Sequence, residues 1–294
     1  MNKKYFVSRI DKHTWAITEK LIIVPTISYL LEGSKSALLI DTGLGRGDLR
    51  GVVEKLTSKP VTVVNTHAHI DHFGANSQFD KCCYCEDDIG TYEMNNDPVR
   101  LKHMTDMVVP GFIQIAMHRQ LKILVEPKPW EASFYVKDGY KFQLGGRLVE
   151  AITTPGHTVG SVCLLDHGTG YLFTGSTVCS KNVLLHVDGY GTLPEFLNSM
   201  LKLKERESEI KALYPGHYKT PLNKNYIDGY LNCAEGILSG SLKTRKMPLG
   251  KMTCKKASYG PVTLKLPPDF RAAPYIARPL PAKKEPVFEM EKLA

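Results

Sequence analysis

A run of about 18 apolar residues, the minimum for a membrane-spanning helix, is missing from all 294 residues, so no spanning segment and no membrane partner are expected. The opening stretch MNKKYFVSRIDKHTWAITEK has basic residues but no apolar core, and Asp11 and Lys12 arrive early. No secretory signal is expected there, and a cytoplasmic location is the expectation. Cysteine is sparse and odd in number, seven in all, which argues against a disulfide scaffold and for reduced thiols. Three of them crowd into CCYC as Cys82, Cys83 and Cys85, but no second pair follows at zinc-ribbon spacing. They read better as a strand, KCCYCED, burying small apolar thiols. Acids are missing between Ser241 and Lys256, where Lys243, Arg245, Lys246, Lys251, Lys255 and Lys256 fall together. Aromatic residues that could stack on bases are missing there too. The stretch reads as a solvated loop, and nucleic acid stays a weak candidate partner.

What is present is ordinary globular composition, 43% hydrophobic and 23% charged, with a net charge of +8 that favours anionic substrates. KYFVSRI, TWAITE, ISYLLEG, SALLIDTG and VTVVNTH read as strands, with LRGVVEKLTS at helical spacing between the last two. FYVKDGYKFQLGG reads as a hairpin turning at Asp138–Gly139. RLVEAITTPGHT, SVCLLD, GYLFTGS and IKALYPGH read as further strands, with helices over LPEFLNSMLKLKERES and YIDGYLNCAEGILSG. The order implies mixed α/β packing in one domain over 1–267. Positions 88–130 carry Met94, Met104, Met107, Phe112 and Met117 but few strand signals, which suggests a helical insertion. The Pro- and Lys-rich tail, 268–294, is expected to wrap the surface or stay unfolded.

Three of the ten histidines lie in NTHAHIDHFG, as His67, His69 and His72 around Asp71. His67 and His69 share a face if the chain is extended, and Asp71 and His72 follow a turn. A catalytic zinc takes about three protein ligands and keeps one position open, so each pair lacks a third ligand. TTPGHTVGS presents His157 and LYPGHYKT presents His217, both just after a buried strand. Two incomplete pairs and two strand-end histidines point to one shared site.

HAHIDH (His67 to His72), PGHT (Pro155 to Thr158) and PGH (Pro215 to His217), with LIDTG (Leu39 to Gly43) and LFTGS (Leu172 to Ser176) in order, resemble the metallo-β-lactamase superfamily over roughly Tyr5 to Leu238. The resemblance implies a four-layer αββα sandwich with metals at one edge. His67, His69 and His157 would hold a first metal and Asp71, His72 and His217 a second, with Asp41 orienting the ligand loop. Histidine at 69, where diiron relatives look different, favours zinc, one ion or two, with iron or manganese as alternatives. The sequence departs from the family at Ser176, where most hydrolytic members carry an aspartate bridging both metals. One subclass of metallo-β-lactamases also carries serine there. Cys179 lies three residues beyond, near enough to be considered a substitute ligand.

Zinc brings the pKa of bound water to about 7. The expected function is therefore hydrolysis of a small ester, lactone, thioester or β-lactam by a metal-bound hydroxide. Asp71 would act catalytically by orienting the nucleophile, and Tyr218 would donate to an oxyanion. An apolar lid from the Met-rich insertion would favour such small-molecule substrates. The alternatives are a phosphodiesterase or nuclease of the same fold, and a non-catalytic metal-binding relative, suggested by Ser176. A homodimer is compatible with the sequence.

Overall fold

The structure, a computed structural model, describes residues 4–20, 24–99, 103, 130–185, 191–249 and 252–270. Two sheets face each other. The first has seven strands in chain order: β1 (Tyr5–Asp11), β2 (Thr14–Glu19), β3 (Thr26–Glu32), β4 (Ala37–Ile40), β5 (Val61–Val64), β6 (Cys82–Cys85) and β7 (Phe134–Val136). Pairing is antiparallel from β1 to β4 and parallel from β4 to β7. The second has five strands in the order β13 (Ala212–Pro215), β11 (Tyr171–Gly175), β10 (Val162–Asp166), β9 (Leu148–Thr153) and β8 (Lys141–Gln143).

Strand periodicity divides the apolar residues between layers. Tyr29, Leu31, Leu38, Ile40, Val64, Cys83 and Cys85 point inward and meet Val149, Ala151, Leu164, Phe173 and Tyr214 of the second sheet. Leu30, Leu39, Val63 and Cys82 point outward onto Leu49 and Val53 of helix α1 (Leu49–Val53). Asp48 caps α1 through its side chain. On the far side, Cys163, Leu165, Leu172 and Leu213 pack on α4 (Leu193–Glu205) and α5 (Asn225–Leu238). A capping box between Thr192 and Glu195, with Pro194 in the first turn, starts α4. The result is the αββα sandwich. CCYC is a fully buried strand, and all seven cysteines are free thiols.

Two expectations are corrected. FYVKDGYKFQLGG is not a hairpin: β7 closes the edge of the first sheet and β8 that of the second. Asp138–Gly139, with Gly139 at φ 77°, carries the chain between layers. The basic stretch Ser241 to Lys256 is not a loop either. β14 (Arg245–Leu249) and β15 (Met252–Tyr259) pair with each other. With β16 (Val262–Leu266) and β12 (Asn182–Leu184) they form a third sheet, ordered β12–β16–β15–β14, that covers α5. Of the proposed helical insertion, two short elements are described. They are a 3-10 turn (Glu86–Asp88) and α3 (Ile89–Asn95). Met104, Met107, Phe112 and Met117, and with them the suggested lid, lie outside the described residues, as does the tail from 271 onward.

Candidate metal centre

The site lies where β5, β9, β11 and β13 end along one edge of the sandwich. β5 runs into His67 and His69, and α2 (Ile70–Phe73) carries Asp71 and His72. His157 follows β9 and His217 follows β13. The structure brings all six expected ligands together as two trios, His67, His69, His157 and Asp71, His72, His217, whose donor atoms lie within 4.8 Å of one another. In the first trio, His69 Nδ1 is 3.0 Å from His67 Nε2 and 3.1 Å from His157 Nε2. In the second, His72 Nε2 is 3.0 Å from His217 Nε2, and Asp71 Oδ2 is 3.5 Å from His217 Nε2.

The outer nitrogens decide what the inner ones can do. His157 Nδ1 donates to the carbonyl of Leu184 at 2.9 Å, and His217 Nδ1 to that of Pro25 at 3.1 Å. His72 Nδ1 donates to Asp41 Oδ2 at 2.8 Å. His67 Nδ1 lies 3.1 Å from Thr66 Oγ1, whose own proton goes to Asp41 Oδ2 at 2.8 Å. These partners assign the tautomers. Each of the four rings, when neutral, then carries a bare Nε2. Four inward lone pairs, two of them facing each other at 3.0 Å, repel unless a cation sits among them. The donor set therefore fits a metal, and neutral imidazole is the ligating form.

Burial reinforces this. It holds His67 and His157 well below the usual histidine range and takes His69 down to about 4. Burial and the neighbouring His72 also lower His217. His72 is the exception: burial pulls it down, but the charges of Asp41 and Asp71 outweigh that and raise it. Burial pushes Asp71 up, yet the adjacent His72, His217 and His69 bring it below the ordinary carboxylate value.

A cavity of about 200 Å³ opens over both trios. Ser176 and Tyr218 line it together with Val24, Asn182, Val183 and Leu184. Ser176 is buried, so a neutral hydroxyl occupies the position where most hydrolytic members of the family carry a bridging carboxylate. Cys179 also lines the cavity, but it belongs to neither trio. Burial pushes its thiol up to about 12, and it donates to the carbonyl of Gly175. Tyr218 has φ 63°, a conformation uncommon for a side chain of its size.

One buried residue escaped the sequence reading. Asp88 accepts from Ala68 N at 2.8 Å and from Thr158 Oγ1 at 2.9 Å through one oxygen. Its other oxygen accepts from Gly160 N at 2.8 Å. It ties the His67–His69 loop to the loop after His157. Nothing in EDD marked one acid of three as the buried one.

Fold and site together define a metallo-hydrolase of the metallo-β-lactamase class. The model of the metallo-beta-lactamase superfamily matches residues 23–217, and the chain belongs to that superfamily. A metallo-beta-lactamase from Pontibacter korlensis superposes with a TM-score of 0.56 at 18% identity, covering 79% of this chain and 99% of that one. That likeness concerns the fold. Among curated relatives, the human acyl-coenzyme A thioesterase MBLAC2 is 26% identical over 212 residues, 65% of this chain and 72% of its own. The atrochrysone carboxyl ACP thioesterase of Aspergillus fumigatus is also 26% identical, over 65% of this chain and 50% of its own.

Proposed function

We propose that this chain is a zinc hydrolase of small-molecule acyl thioesters. The observation that carries the reading is the pair of trios, six donors, four of them bare imidazole nitrogens, facing inward beneath one cavity. Nitrogen and carboxylate donors in threes suit zinc. Beyond the two trios, the cavity wall combines apolar Val24, Val183 and Leu184 with Ser176, Asn182 and Tyr218, apolar surface for an acyl chain beside a few uncharged hydrogen-bonding groups. Two relatives named as thioesterases point to the same bond.

Zinc, when bound, supplies Lewis acidity toward water and the thioester carbonyl. The protein's own groups do the rest. The ionised Asp71 orients the water and accepts its proton at a carboxylate oxygen. Tyr218 lies in the cavity wall, and burial raises its pKa, so it keeps its proton and can donate toward the carbonyl oxygen. Ser176 adds no charge between the trios. In the net reaction the C–S bond breaks, water's hydroxyl joins the acyl carbon, and the remaining proton goes to the thiol.

The test combines elemental analysis with a substrate screen. Zinc-loaded protein should hydrolyse acyl thioesters in preference to lactones, β-lactams and phosphodiesters. His157→Ala and His217→Ala should each lose about one metal per chain and most of the activity. Turnover of a phosphodiester alone, or wild-type turnover retained after both trios are broken, would overturn the reading.

A further inference from the structure

The third sheet starts at the metal cavity and ends in open solvent. Leu184 of β12 lines the cavity, and its carbonyl accepts from His157. Its partner across the sheet is Lys265, whose next partner is Lys256, whose next is Arg245. Residues paired in one rung point to the same side of a sheet. On β16, Val262, Leu264 and Leu266 are buried and the alternating Thr263 and Lys265 face away from the core. The rung Leu184–Lys265–Lys256–Arg245 is thus a row of three cations leading away from the cavity wall. At ~4.8 Å per strand it reaches roughly 14 Å beyond Leu184.

The row is not balanced from within. The sequence has no acid between Ser241 and Pro268, and no described carboxylate pairs with any of the three. Lys256 and Arg245 are exposed and Lys265 partly so. Like charges set directly opposite in neighbouring strands destabilise a sheet, so local folding does not account for the row. An anionic ligand would. Lys181 adds a fourth cation nearby, its Nζ 5.1 Å from the ring centroid of Tyr218, a residue of the cavity wall.

We infer that this rung is a docking track for the phosphorylated end of a coenzyme A thioester, with the acyl group at the metal centre. The inference rests on the thioester reading above and narrows its substrate class. Coenzyme A carries a diphosphate and a ribose phosphate at the far end of a long flexible arm from its sulfur. That chemistry calls for a reactive site and a cationic site held apart. Lys256 and Arg245 stand two and three strands beyond Leu184, ~10 and ~14 Å along the rung, with Lys265 between them and the cavity wall. Arg245 at the outer end suits bidentate contact with phosphate. A thioester on a short arm without phosphates would leave the track unused.

The experiment compares coenzyme A with pantetheine as binding probes, by calorimetry on the full zinc-loaded chain. In parallel, acyl-coenzyme A is compared with acyl-pantetheine as substrate. The proteins are wild type, Lys256→Gln and the triple variant Arg245→Gln/Lys256→Gln/Lys265→Gln, each checked for an unchanged melting temperature. Wild type should bind coenzyme A more tightly than pantetheine, with an advantage that shrinks as salt rises. The triple variant should lose roughly tenfold in coenzyme A affinity and in kcat/KM for acyl-coenzyme A, the scale of three exposed ion pairs. Its kcat/KM for acyl-pantetheine should not change, and Lys256→Gln should fall between. Equal binding of the two probes by wild type overturns the track, as does an equal loss on both substrates. So does capture of a carrier protein or an oligonucleotide through these residues without a preference for coenzyme A. If neither thioester turns over but charge-dependent coenzyme A binding persists, the thioesterase reading fails and the track stands.

Discussion

Asp41 sits at φ 60°, in the left-handed region that side chains seldom enter. The conformation turns its carboxylate back over β5. One oxygen takes Thr66 N at 2.7 Å, and the other takes both Thr66 Oγ1 and His72 Nδ1 at 2.8 Å. A single buried acid thereby fixes the tautomer of His72 directly and that of His67 through Thr66. Asp41→Asn keeps the shape and one acceptor but removes the charge. Losing such a group behind a ligand typically weakens metal affinity about 10–100-fold. The variant should show a loss on that scale in competition with a chelator, while its melting temperature without metal changes little. Unchanged zinc affinity would mean that Asp41 serves the loop and not the ligands.

At the scale of elements, Glu150 of β9 ties the second sheet to the end of α4. Its two oxygens accept from Arg206, the C-cap of the helix, at 2.9 Å each, and His167 lies 2.8 Å away. Burial pushes the carboxyl up, but the bonds and charge of Arg206 outweigh it, so the folded pKa lies below the ordinary value. A depressed carboxyl contributes stability that is present above its unfolded pKa and lost as pH falls through the folded one. Glu150→Gln should therefore cost about 1 kcal/mol at neutral pH. The gap to wild type should close below the ordinary glutamate value of about 4.3. Denaturant melts at several pH values would show it, and a gap that persists in acid would point to packing instead.

Elements were also where the sequence was read most unevenly. Strands β2 to β5 and β9 to β11 show themselves through branched and aromatic runs, β6 through its small apolar thiols, and the six candidate ligands through their spacing and strand-end placement. The Asp138–Gly139 turn misled because a turn sequence reports the bend but not whether its strands pair or join different sheets. β14 and β15 hid behind their charge. Lys246, Lys255 and Lys256 look like loop residues, yet β14 pairs with β15 and β15 with β16, and β12, some eighty residues earlier, joins them at β16. Asp88 was hidden for a related reason: burial of one acid among three follows from the packing of distant loops, which local pattern does not encode.

For the whole molecule, three of the four strands of the third sheet, β14 to β16, lie beyond residues 23–217, the region matched by the family model, yet they are not an appendage. Ala257, Val262, Leu264 and Leu266 are buried in the same cluster as Tyr230, Cys233, Ala234 and Ile237 of α5. The contact is close enough that a Cβ on Gly229 would sit 3.1 Å from Val262. The three larger side chains alone are worth about 1.5–3 kcal/mol each when buried, which together is comparable to the whole stability of a typical domain, about 5–15 kcal/mol. β16 also holds β12 in place through the Leu184–Lys265 pairing and the bond from Leu185 N to Lys265 O at 2.7 Å. Since Leu184 supplies the carbonyl that orients His157, the sheet reaches the metal centre through one peptide group. A chain cut after Gly240 should lose its cooperative melt or come out insoluble. Where soluble protein is recovered, its first metal should be weakened before its second, because His157 loses its orienting acceptor while His217 keeps Pro25. A truncated chain with the full-length melting temperature and zinc content would show instead that α5 and His157 need no support from the third sheet.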